Sequence, residues 1–248
     1  MATSALEVQR RHNENTRDLW DAMSPHRRRV MHEIGRTRAG GRSCVFGAGN
    51  CNDLELPRLL SSFDELHLVD IDEAAMRAGI VRQGVESNEK IRLHGGVDFS
   101  DLANVDGVLP QADVVVSTCV LSQLIDSVAR ASSSAGAAKE RAVAVRDRHL
   151  DVLLRSTAPG GHAILVTDLV SSDTAPELRT CPELQLSKLR DQLIARHNYF
   201  HGTNPHAIEQ ALTSRHGTRL ARLERRPPWR WSIGDRVFLV TALVMHRS

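Results

Sequence analysis

A single stretch, residues 43–70, reading SCVFGAGNCNDLELPRLLSSFDELHLVD, limits what this chain can fold into. Cys44-Val45-Phe46 is a short apolar run that stops at Gly47-Ala48-Gly49. A run of that length bounded by glycine fits a fully buried strand of a parallel sheet. Leu54, Leu56, Leu59 and Leu60 follow at near-helical spacing, which predicts a helix over residues 53–60 and places the glycines in a strand-to-helix turn. Glycine suits that turn because it adopts positive φ and lets a ligand approach the backbone, and a helix start adds unpaired N–H groups. Leu66-His67-Leu68-Val69 is a second strand, ending on Asp70. An acid at that tip accepts hydrogen bonds from the hydroxyls of a ribose, so the stretch predicts half of a nucleoside-binding crevice.

A dinucleotide fingerprint requires a third glycine where this chain has Asn52, followed by the acid Asp53. An acid there repels a pyrophosphate and suits an ammonium or sulfonium. On these residues the stretch resembles the first motif of the class I S-adenosylmethionine-dependent methyltransferases, with Asp70 in the position of their ribose-binding acid. The resemblance implies an α/β fold, a doubly wound, seven-stranded, mostly parallel sheet, and S-adenosylmethionine as cofactor. It places Gly47, Ala48, Gly49, Asn50, Asp70 and Ile71 around the cofactor. After a third strand at residues 91–94, Asp98 and Phe99 match an acid for the adenine amino group and an apolar partner for its ring. Ser117, Thr118 and Cys119 end the strongly apolar strand ADVVVSTC and are expected to face the transferred methyl group. The Asn/Asp-Pro-Pro-aromatic signature of DNA and protein-amide methylation is absent from that strand end.

The chain of 248 residues is long enough for one α/β domain with an added segment. Its formal net charge of +2 removes any general demand for a polyanionic partner. The four cysteines show no paired spacing, which argues for reduced, mostly buried thiols in a cytoplasmic protein rather than a disulfide or zinc framework. The first twenty residues carry no secretory signal pattern, and the longest apolar run is too short to span a bilayer. Residues 1–41 read as an N-terminal helical cover and 42–248 as the Rossmann-like domain. In the cover, Ser24-Pro25 reads as a cap and first helical proline, with Val30, Met31 and Ile34 as the buried stripe.

Beyond residue 119 the candidates concern the acceptor. Ser122 and Gln123 follow the fourth strand directly. Asp168 ends a fifth strand, residues 163–168, which follows the turn Pro159-Gly160-Gly161. Tyr199 and His201 lie in a polar and aromatic loop, and Trp20 in the cover. His197 and His201 are four apart but have no acidic companion, and Gly202 and Pro205 argue for a loop rather than a metal-binding helix face. Two further strands, residues 219–224 and 237–245, close the sheet, joined by Arg225-Arg226-Pro227-Pro228-Trp229-Arg230-Trp231. The expected reaction moves a methyl group to an O or N nucleophile of a small molecule, with His201 and Asp168 as candidate bases and Trp20, Ser122, Gln123, Tyr199 and His201 as candidate substrate contacts. Two alternatives stand beside it: an RNA-modifying enzyme holding phosphates with its arginine clusters, and a non-catalytic cofactor-binding scaffold.

Overall fold

The computed structural model describes residues 5–37, 39–100, 105 and 109–248. Two helices, α1 (Ala5–Thr16) and α2 (Ser24–Gly35), precede an alternation of strands and helices. These are β1 (Arg42–Phe46), α3 (Leu56–Ser62), β2 (Glu65–Val69), α4 (Glu73–Arg82), β3 (Ile91–His94), β4 (Ala112–Thr118), α5 (Val120–Arg130), α6 (Ala135–Arg155) and β5 (Thr157–Ser171). The chain finishes with α7 (Leu186–Ala195), α8 (Pro205–His216), β6 (Leu220–Arg225), β7 (Trp229–Ile233) and β8 (Arg236–Arg247). The sheet order is β3-β2-β1-β4-β5-β8-β6, with β1 to β5 parallel and β8 antiparallel to both β5 and β6. The order reverses between β1 and β4, where open parallel sheets leave a crevice beyond the strand ends.

Period-two alternation divides the core between the two faces of the sheet. Val114, Val116, Ile164 and Val166 turn to the face covered by α2, α3 and α4, with Met31, Leu59 and Met76. Val115, Ala163 and Leu165 turn to the other face, with Leu121, Leu150, Leu153 and Leu212 from α5, α6 and α8. Among the described residues no helix is long and apolar enough to cross a membrane.

Four sequence expectations are corrected. The helix after the glycine turn starts at Leu56 rather than residue 53, because residues 49–53 form tight turns and Pro57 sets the first helical turn; the Leu56 N–H is taken by Gln83. The helix-dipole argument for that turn therefore falls. Ser24 opens α2 but makes no cap bond; its hydroxyl accepts from Arg28 instead. β5 begins at Thr157 and runs past Asp168 to Ser171, accommodating Pro159 and the glycines as a register shift opposite β4. Finally, the connection at Pro227-Pro228 contains a strand, β7. β6 pairs with residues 243–247 of β8 and β7 with residues 236–240 on the same edge. One sheet position is thus filled by two segments, because proline cannot donate to the ladder.

Candidate functional site

The carboxyl ends of β1, β2, β4 and β5 frame three adjoining cavities under α1. Gly47 (φ 72°) turns the chain out of β1, and a Cβ there would collide with Cγ2 of Val120. The Gly47 and Ala48 N–H groups both donate to the Val69 carbonyl, which ties this turn to the tip of β2. Asp70 accepts from the N–H of Gly49 and of Asp72, each at 2.9 Å, and is 4% exposed. Burial pushes its carboxyl up to about 6, against the pull of those backbone bonds.

The first cavity is lined by Gly47, Asp70, Ile71, Val97, Asp98 and Phe99, with α5 opposite. Phe99 packs against Phe46 with ring centroids 4.8 Å apart. Asp98 holds the turn at Ser100, accepting from its N–H at 2.8 Å and its hydroxyl at 2.6 Å through one oxygen. The second cavity meets Gly47, Ala48, Gly49, Asn50, Asn52, Asp53, Thr118 and Cys119. The third encloses about 490 Å³ between Ser122, Asp168, Tyr199, Phe200, Trp231 and Phe238. Gln123 lines all three.

Two carboxylates, the buried Asp168 and the half-buried Asp53, give this region its electrostatic character. Asp168 accepts from the Ser122 hydroxyl at 3.0 Å and from the Cys119 thiol at 3.5 Å. Burial raises its carboxyl to about 6. The β5–β8 pairing slips between Asp168 and Val170, a bulge of the kind that re-aims side chains beside sites. Asp53 lies 3.5 Å from Nε2 of His26. Burial, and then the charge of Asp168, push Asp53 up to about 7, while Arg27 pulls it down. His26 is buried under Trp231, its ring stacked at 4.3 Å, and its Nδ1 accepts from the Trp229 indole N–H at 3.1 Å. An indole is only a donor, so His26 carries its proton on Nε2, towards Asp53. Desolvation lowers His26 to about 3, so the ring is neutral.

Most of the sequence-derived residues converge here, and two do not. Ser117 is fully buried beneath the site, its hydroxyl 2.8 Å from Nε2 of His149, so it supports the floor instead of lining a cavity. Trp20 lines none of the three cavities; the Arg27 guanidinium covers its ring at 3.5 Å. It anchors the cover. Tyr199 and His201 do line the third cavity. Sequence reasoning missed Gln9, His12 and Asn13, which α1 brings to the second cavity, because a polar helix face carries no signal of what it covers.

No protein-family model and no curated protein sequence matches the chain. Solved structures do. N-methyltransferase NodS from Bradyrhizobium japonicum WM9 superposes with a TM-score of 0.52 at 12% identity, over 93% of this chain and 97% of that one. An O-methyltransferase family protein from Burkholderia thailandensis gives 0.52 at 18% identity, over 98% of this chain and 60% of that one. The chain has the class I methyltransferase fold. The YcgJ protein from Bacillus subtilis shares it with a TM-score of 0.51 at 13% identity, over 90% of this chain and 98% of that one. At such identities the likeness is one of fold, and the chemistry rests on the crevice itself.

Proposed function

We propose that the chain is a methyltransferase that binds S-adenosylmethionine in the first two cavities and methylates a small molecule held in the third. The observation that carries this reading is the continuity of the three cavities at the sheet's reversal point, with Gln123 common to all. The residues present fit the cofactor. Asp70 keeps lone pairs for ribose hydroxyls after accepting two N–H bonds. Val97 and Phe99 offer an apolar surface to adenine. In the second cavity Asn52 is buried with its Oδ1 unpartnered among the described residues, and the Asp53 carboxylate lines the same cavity, which suits a cation.

When bound, the cofactor supplies a methyl group already activated by its sulfonium. The work left to the protein is alignment, exclusion of water and placement of a base. Gly47 and Thr118 set the width of the crevice, α1 covers it, and Cys119 joins the cofactor side to Asp168 on the acceptor side. Asp168 is favoured as the base because it is buried at the cavity wall, whereas His201 is exposed at its rim.

The arginines that an RNA substrate would need are engaged elsewhere, which favours the small-molecule reading. Arg27 is buried against Trp20 and bonds the Trp20 and Asn52 carbonyls. Arg29 pairs with Glu183, Arg225 with Glu209, and Arg226 with Glu33 and Glu224. Arg28 bonds Ser24, and Arg230 the Leu178 and Arg179 carbonyls. Calorimetric titration with S-adenosylmethionine, S-adenosylhomocysteine and NAD tests the cofactor: micromolar binding of the first two is expected, and tight binding of NAD alone overturns the reading. Formation of S-adenosylhomocysteine with an acceptor separates an enzyme from a scaffold.

A further inference from the structure

The third cavity has a charge balance that its size alone does not require. Four of its lining residues are Asp or Arg: Asp126, Arg130, Asp168 and Arg236. Arg130 is paired with Asp126 at 2.8 Å, and Arg236 with Asp173 at 2.7 Å. Both arginines at the mouth thus already hold a carboxylate partner at the surface, and Arg236 also pulls the Asp168 carboxyl down from a distance. Asp168 is left as a buried carboxylate with no ion-pair partner among the described residues, holding only the neutral donors Ser122 and Cys119. Each of its oxygens accepts one of these and retains a free lone pair. The walls beside it are Phe200, Tyr199, Trp231 and Phe238. Arg236 already lies over the Phe238 ring at 4.9 Å and His26 stacks on one face of Trp231, so Tyr199 and Phe200 are the rings whose faces are left to attract a cation. Trp231 is 7% exposed, and among the described residues no group accepts its indole N–H.

We propose that the acceptor is an amine that enters as an ammonium ion, with an aryl or alkyl body between the aromatic walls and its nitrogen docked on Asp168. The proposal rests on the methyltransferase reading and narrows it to N-methylation. An anionic acceptor meets an unpaired carboxylate and, among the described residues of the lining, no arginine without a carboxylate partner. A neutral alcohol leaves that carboxylate uncompensated. An ammonium satisfies it, and the pocket is of the size that encloses small ligands.

The chemistry balances without a further reactant. The ammonium first gives one proton to Asp168, whose burial-raised carboxyl makes it a better acceptor than an exposed aspartate. The freed nitrogen lone pair then forms the N–C bond to the methyl carbon as the C–S bond breaks, and that bonding pair remains on sulfur as a neutral thioether. The positive charge passes from sulfur to the methylated ammonium. The proton on Asp168 leaves to solvent with the product.

The test compares three probes of one shape: 2-phenylethylamine, 2-phenylethanol and 3-phenylpropionate. Each is titrated calorimetrically into the full chain, alone and saturated with S-adenosylhomocysteine, and again into Asp168→Asn, which keeps an acceptor for Ser122. The amine is expected to bind at least roughly tenfold more tightly than either other probe, because its hydrogen bond to the carboxylate is charge-assisted. Asp168→Asn is expected to erase that margin while leaving the alcohol unchanged. Equal binding of the three, preference for the alcohol or carboxylate, no binding of any, or a margin that survives in the variant overturns the proposal. If the variant does not fold, the wild-type ranking decides alone. Failure to bind S-adenosylhomocysteine counts instead against the methyltransferase reading, since the amine preference is also read in its absence.

Discussion

Cofactor affinity is predicted to depend steeply on pH through Asp53. Its neighbours are the neutral His26, the cation Arg27 and the acid Asp168, and burial dominates, so its carboxyl sits at about 7 instead of the usual 3.8. An acid raised in this way destabilises the folded, ligand-free protein as pH rises. The unfolded chain releases the proton near pH 4 and the folded one only near 7, so stability is lost across that window. A cation seated beside Asp53 favours the ionised form and reverses the penalty. Binding must then displace a proton wherever Asp53 is protonated. With a value of about 7, only about 1% of the group is ionised at pH 5 and about half at pH 7, which makes the affinity gain roughly 50-fold between those limits.

The α-amino group of the ligand stays largely protonated over that range, its reference value being about 7.7–8.0. Calorimetry with S-adenosylmethionine and S-adenosylhomocysteine at pH 5, 6 and 7, in buffers of different ionisation enthalpy, reads both the affinity and the protons released. A slope shared by both ligands points to the ammonium; one confined to S-adenosylmethionine points to the sulfonium. Asp53→Asn should remove roughly the 50-fold component and leave what Asp70 and Asp168, each near 6, contribute. Affinity that does not change with pH, or a folded Asp53→Asn variant that keeps the whole slope, would refute the reasoning.

Three further outcomes follow from the geometry. Gly47→Ala forces a Cβ into Val120 at a positive φ, so it should cost at least about 1–2 kcal/mol of stability from the left-handed backbone alone and widen the turn; denaturant melts and cofactor titration check both. Asp70→Ala should weaken cofactor binding by roughly 10- to 150-fold through loss of charge-assisted bonds to the ribose; unchanged affinity in a folded variant would show that another group, such as Asp72, holds the ribose. Trp229→Phe strands the buried Nδ1 of His26 and should cost about 1–3 kcal/mol in a chemical-denaturation curve, a figure that a neutral result would contradict.

The parallel half of the fold was legible because buried strands announce themselves. Cys44-Val45-Phe46 and Val114-Val115-Val116 are continuous apolar runs, and Asp70 stands at a strand tip where the register places it. The closing half was less so. The prolines at 227 and 228 look like a connection, yet an edge position tolerates an interrupted strand, and β7 resumes at Trp229. Helix α8 escaped notice behind the loop at residues 197–204, although Asn204 caps it and Pro205 opens it. At the candidate site, the glycine turn, Asp70 and Cys119 line the cavities at the strand ends where local pattern puts them. The charge of Asp53 is visible in the sequence and its approach to His26 is not, because the two meet only in the packed fold, where α2 lies against β7 and Trp229 and Trp231 cover the imidazole.

The departure from a third glycine has its own explanation in how α1 ends. The last turn of a helix leaves carbonyls without intrahelical partners, and α1 finds partners for its own in the glycine turn. Asn50 donates to the Asn13 carbonyl at 2.6 Å and to the Thr16 hydroxyl at 3.1 Å, and Asn52 donates to the Thr16 carbonyl at 2.7 Å. Arg82 of α4 adds a bond to the Arg17 carbonyl and another to Asn50. In the other direction Asn13 donates to Asp72, the residue that caps α4. A glycine at position 52 would let a helix pack closely under a pyrophosphate, but the Thr16 carbonyl would lose its side-chain donor and keep only the Leu19 N–H at 3.1 Å. The two asparagines therefore trade diphosphate geometry for attachment of the cover, so that the turn expected to cradle the cofactor and the helix that closes over it are held by one set of hydrogen bonds. Any ligand that orders the turn must, through those bonds, also order the cover.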